Sequence, residues 1–183
     1  MKSLTELVKI YKRQDLTAQD IEDATGRKIL LFSELRKYKS LDDLLSKHGF
    51  VIILLQVNNQ YNGHWVCLSK NDKTGVYRWA DPYGISPFTE VKDYVPYDYK
   101  NFPDYIKELF ERSSNIEYNK VDYQAKQPTI STCGRYAIVF SKLRNLSLND
   151  IEVLFKTNNV AYLQDTDNVV TLLTMLWLGD LTK

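Results

Sequence analysis

The stretch HWVCLSKNDKTGVYRWAD, residues 64–81, decides the fold. Two segments with alternating apolar positions flank KNDKTG, a polar run with one glycine, and that is hairpin chemistry. Pairing Ser69 with Val76 across the turn sets Val66 opposite Trp79 and His64 opposite Asp81. Directly opposed residues on an antiparallel pair hold their Cβ atoms roughly 4.5–5.5 Å apart. A carboxylate there accepts from one imidazole nitrogen and leaves the other free to act as a base. The pairing matters, because a slip by one residue turns the two groups to opposite faces.

Working outward, FVIILLQV (50–57) is rich in β-branched residues and reads as a strand buried on both faces. Upstream, SLTELVKIYKR places Leu4, Leu7, Val8 and Tyr11 at helical spacing. LTAQDIEDATG reads as a short helix capped by Thr17 and stopped at Gly26. SLDDLLSKHG starts on Ser40 and Asp43, in the manner of a capping box, and ends at Gly49. Downstream, FPDYIKELFER, CGRYAIVFSKLRN, SLNDIEVLFK and DNVVTLLTMLWLG read as helices, and IEYNKVDY (116–123) as a strand. The tyrosine-rich KDYVPYDYKNF (92–102) reads as a solvated loop. Helices at both ends of a central run of strands give an α+β class, and 183 residues fit one domain, 1–183.

The composition narrows the function. Apolar residues make up 44% and charged residues 26%, the balance of a soluble globular chain. A net charge of +1 gives no global field toward nucleic acid or a membrane surface. Two cysteines cannot build a disulfide framework, so a reducing intracellular compartment is expected. The N-terminus lacks the apolar core of a secretory signal, and no apolar run is long enough to span a bilayer.

The two cysteines have different settings. Cys67 alternates within the hairpin and reads as a small buried hydrophobe. Cys133 follows Ser131 and Thr132, either of which can cap a helix, so it falls in the first turn. Free N–H groups and the helix dipole there favour a thiolate. Gly134 removes a side chain beside the sulfur, leaving room for a substrate backbone. Of the two histidines, His48 reads as a helix C-terminal residue, which leaves His64 as the base. An oxyanion hole needs donors, and the Cys133 N–H with the amide of Gln127 or Gln124 can supply them. A zinc site would need four clustered ligands, and the H-x-x-C of His64 and Cys67 points to opposite faces of a strand. No metal or other cofactor is expected.

GHWVCL, DPYGIS and QPTISTCG, in that order, resemble the adenovirus maturation protease and its Ulp-type deSUMOylating relatives. The likeness runs from about residue 50 to 145. The DPYG loop is nearer the adenovirus branch. The N-terminal segment is similar to proteases encoded by virophages and Maverick/Polinton-type elements. This resemblance implies a papain-like fold of the adenain type, with a mostly antiparallel central sheet and the nucleophile at a helix N-terminus. It implies His64 as general base, Asp81 as its orienting acid, Cys133 as nucleophile and Gln127 as oxyanion donor. Gln127 stands six residues before the cysteine, as in the Ulp branch, and Gln124 is the alternative. Trp65 matches the tryptophan that narrows the substrate groove so that glycine fits near the scissile bond. The implied activity is endopeptidase processing of viral capsid or structural precursors, in the virion and the infected host cell. The rival is a deSUMOylase- or deubiquitinase-like isopeptidase, and the third reading is a non-enzymatic binding module on the same scaffold. Adenovirus enzymes are activated by a capsid-derived peptide and by DNA. This chain has no distinct basic cluster, so DNA activation is not expected, and the sequence leaves a peptide activator open.

Overall fold

A computed structural model describes residues 2–56, 63–88, 102–113, 115–156 and 165–179. The expected 92–101 loop lies outside the described residues. The first helices are α1 (Leu4–Tyr11), α2 (Ala18–Thr25) and α3 (Leu41–Leu45). Helix α2 starts on a capping box of Thr17 and Asp20 and stops at Gly26, whose φ of 68° is left-handed. The five strands are β1 (Leu30–Leu31), β2 (Phe50–Gln56), β3 (Gly63–Lys70), β4 (Tyr77–Ala80) and β5 (Ile116–Tyr118). The later helices are α4 (Phe102–Glu111), α5 (Cys133–Lys142), α6 (Leu148–Lys156) and α7 (Thr166–Trp177).

The class is α+β, with one sheet in the order β1-β2-β3-β4-β5. The sheet is mixed, where a mostly antiparallel one was expected. The β2–β3 and β3–β4 pairs are antiparallel, while the edge strands β1 and β5 pair in parallel. Parallel neighbours need crossover connections, and both edges have them. The chain passes through α3 between β1 and β2, and through α4 between β4 and β5.

Strand β2 is buried on both faces. Val51, Ile53 and Leu55 join one apolar cluster with Leu44, Trp79 and Phe110. Ile52 and Leu54 join the other, with Trp65, Cys67, Tyr136 and Phe155. Period-two alternation therefore places α3 and α4 against one face and α2, α5 and α6 against the other. The spacing of Tyr136, Ala137, Phe140 and Leu143 gives helix α5 one apolar face. Instead, every residue from Gly134 to Ser141 is buried, because β3, α2 and α7 pack around it.

The 64–81 hairpin forms, but with its register two residues from the expected one. Lys70 pairs with Tyr77, Ser69 with Arg78 and Cys67 with Ala80. Asn71 is the reason. Its side-chain oxygen accepts from the N–H groups of Lys73 (2.9 Å) and Thr74 (3.2 Å), and its own N–H bonds Val76 O at 2.9 Å. The turn thus begins at Asn71, and Lys70 is drawn into the strand. A shift by two keeps every side chain on its face, so His64 and Asp81 remain on the same side.

Candidate active site

His64 is the second residue of β3 and Asp81 follows the last residue of β4, so both lie at one end of the sheet. They meet diagonally. His64 Nε2 donates to Asp81 Oδ1 at 2.5 Å. Asp81 is 0% exposed and His64 4%.

The DPYG turn shapes the rest of the acid's surroundings. The N–H groups of Tyr83 and Ile85 donate to Asp81 Oδ1 (3.1 Å) and Oδ2 (2.9 Å). Gly84 closes the turn with its N–H on Asp81 O at 2.9 Å and a φ of 68°. A Cβ at Gly84 would sit 2.8 Å from Val121 O, so only glycine fits there. Asn119 clasps the same residue. Its Oδ1 accepts from Asp81 N at 2.9 Å, and its Nδ2 donates to Asp81 O at 2.6 Å. This inward turn of Asn119 also ends β5 at Tyr118, well short of the expected strand to residue 123.

With Nε2 held by Asp81, Nδ1 is the ring nitrogen left for the thiol, and Cys133 lies near enough to favour the charged form of the ring. Burial disfavours the imidazolium. Hydrogen bonds to Asp81 and Cys133, with their Coulomb attraction, outweigh that and raise the His64 pKa to about 10. Tyr83 stacks on the imidazole, with ring centroids 4.8 Å apart. Sequence reasoning missed both Asn119 and Tyr83. Tyr83 stood in the quoted DPYG motif, but nothing there said which ring it would face.

Cys133 is the first residue of α5 and is partly exposed. Thr132 is its N-cap, yet makes no side-chain bond to the helix. Cys67 is fully buried in β3, and burial pushes its thiol up to about 12. Gly134 does not leave room for a substrate. The expected space is filled, since a Cβ there would lie 3.2 Å from Leu16 Cβ and 3.3 Å from both Ile21 Cδ1 and Trp65 Cδ1. Trp65 therefore packs edge-on against the start of the helix.

A cavity of about 460 Å³ opens beside Cys133. Leu16, Ala18, Leu54 and Trp65 supply its apolar lining, with Asp15 and Ser131 among its polar residues. A separate cavity of about 350 Å³, lined in part by Asp20, Asp23, Arg135 and Trp177, includes neither Cys133 nor His64.

The two glutamines differ. Gln127 is exposed, in a turn where Ile130 N bonds its carbonyl at 3.0 Å. Gln124 is 4% exposed, and its Nε2 donates to Tyr83 Oη at 3.1 Å. Gln124 Oε1 is buried without a partner among the described residues. His48 is exposed in the turn after α3, where Gly49 has a φ of 70°. Among the described residues, no group of three or more His, Cys, Asp or Glu side chains is placed to hold a metal ion. No described helix is long and apolar enough to cross a membrane.

No protein-family model matches the chain. It is 27% identical over 175 residues to an uncharacterized protein, V9, of Sputnik virophage, covering 92% of this chain and 98% of that one. That likeness points to a virophage origin. Among solved structures, the chain is similar to the central domain of an uncharacterized protein of Legionella pneumophila. That match has 16% identity and a TM-score of 0.44, and covers 92% of this chain and 99% of that one.

Proposed function

We propose that this protein is a papain-like cysteine endopeptidase of the adenain type, which cleaves viral capsid or structural precursors during particle maturation. The observation that carries the reading is buried His64, bonded to buried Asp81 at 2.5 Å and set beside Cys133 at a helix N-terminus. A base oriented by an acid and touching a thiol is the arrangement nucleophilic acyl transfer requires.

Cys133 Sγ, deprotonated by His64, attacks the scissile carbonyl carbon. The developing oxyanion takes donors from the Cys133 N–H and the Gln127 amide. Gln124 is the weaker choice, because its amide nitrogen already donates to Tyr83. The His64 imidazolium then protonates the leaving amine. Water, deprotonated by the same ring, attacks the thioester and releases the acid product. The substrate chain would lie along the wall of Trp65 and Leu54 beside Cys133.

Co-expression with a candidate capsid precursor, followed by N-terminal sequencing of the products, tests this. The expected result is cleavage at a Gly-X bond by the wild type and none by Cys133→Ala. Equal cleavage by both would sink the proposal.

A further inference from the structure

Thr132 is an atypical cap. A threonine at this position ordinarily turns its oxygen toward the first N–H groups of its own helix. Here the hydroxyl donates to Asp167 Oδ1, on α7, and α5 starts without a side-chain cap. The other oxygen, Asp167 Oδ2, accepts from Ala125 N at 3.0 Å. Ala125 and Thr132 are the two ends of the segment that carries Gln127 and leads into Cys133. Asp167 is 1% exposed and Thr132 0%. One buried carboxylate therefore grips both ends of that segment.

We propose that Asp167 is a positioning residue: it fixes the 125–132 segment and draws the Thr132 hydroxyl off α5, which leaves the first N–H groups of that helix for the Cys133 sulfur and the substrate oxyanion. The proposal rests on the cysteine-protease reading above. Its logic is electrostatic. N–H groups at a helix start stabilise a thiolate only while no side chain occupies them. A carboxylate is a costly buried acceptor, and burial, ahead of its other surroundings, raises the Asp167 pKa. An asparagine could keep both contacts, its oxygen accepting from Ala125 and its amide donating to the Thr132 hydroxyl, whereas a leucine of similar size can make neither.

The test uses the full chain carrying Asp167→Leu. It measures thermal melting, kcat and KM on a peptide spanning the mapped cleavage site, and iodoacetamide alkylation of Cys133 at pH 6, followed by mass spectrometry. The melting temperature should stay within a few degrees of wild type, and kcat should fall about tenfold or more at unchanged KM. Alkylation should slow roughly threefold or more. Loss of a nearby negative charge would by itself speed alkylation, so slowing reports position. Thr132→Val, of similar shape but without the hydroxyl, frees the Thr132 end of the segment yet leaves the helix N–H groups open, so its kcat should fall less, and the double variant should lose no more than the Asp167 variant alone.

Wild-type kcat, unchanged or faster alkylation, or additive losses overturn the proposal. If Asp167→Leu does not fold, Thr132→Val decides by the same readouts. The underlying reading fails in a different way. Wild-type protein would then neither cleave precursor nor alkylate at Cys133 faster than a free thiol. An active wild type with unperturbed variants removes only the role of Asp167.

Discussion

At the scale of single residues, the chemistry turns on how His64 is held. Its pKa is raised to about 10, against the pull of burial, by contacts with Asp81 and Cys133. NMR titration of the ring should find it protonated through pH 8 in the wild type. Cys133→Ala and Asp81→Asn should each move the midpoint downward, because each removes a hydrogen bond or a charge that favours the imidazolium. A midpoint unmoved in both variants would contradict the arrangement. The thiols give a second check. Near neutral pH, Cys133 should alkylate quickly and Cys67 only on unfolding, since Cys67 has no exposed surface and a thiol raised to about 12. Equal rates in the native protein would remove the case for an activated thiolate. The sequence was informative about these residues because hairpin periodicity and a helix start are local signals. Asn119 was not legible. Its role arises from a parallel edge strand, which brings residue 119 beside residue 81 through a long crossover.

At the scale of elements, two glycines make opposite points. Gly134 looked like room for a ligand and proves to be a packing site, because Leu16, Ile21 and Trp65 come from segments far from it in the chain. Nothing local to the CGR sequence could have said so. Gly84 has both a left-handed φ and backbone atoms within 3 Å of where a Cβ would go. Gly84→Ala should therefore destabilise by about 2–4 kcal/mol, from backbone strain and overpacking together. Denaturant unfolding measures this. The loss should come with a lowered His64 midpoint, because the displaced turn carries the Asp81 acceptor. The hairpin shows why a partly wrong reading still located the site. Asn71 moved the register by two, and side-chain alternation is indifferent to even shifts. An odd shift would have separated His64 from Asp81.

At the scale of the whole molecule, the His64–Asp81 pair is linked to stability. A histidine whose folded pKa lies above its unfolded value contributes stability that is fully present below about pH 6.5. That contribution is lost as pH rises through about 10. Wild-type stability should accordingly fall as pH approaches 10, with a slope of at most about 1.4 kcal/mol per pH unit from this one proton. Cys133→Ser should flatten that slope, because a neutral hydroxyl no longer attracts the imidazolium. Above about pH 9 both proteins should lose stability, as the thiol of Cys67 ionises more readily in the unfolded chain than in the core. Chemical denaturation across the pH range measures both windows.

The two ends of the described chain also converge on the segment before the nucleophile. Lys12 O accepts from Ser131 N at 2.9 Å, and Lys12 Nζ reaches Asp165 at 3.0 Å and Asn168 at 3.1 Å. Arg135, two residues into α5, donates to Tyr11 O at 3.0 Å and to Thr174 Oγ1 at 2.7 Å. Helix α1 is synthesised first and α7 more than 150 residues later, and neither is continuous with the catalytic hairpin. A nascent chain that has passed Cys133 but not yet delivered α7 lacks half of this brace. The segment before Cys133 thus takes its described form only once α7 has been made.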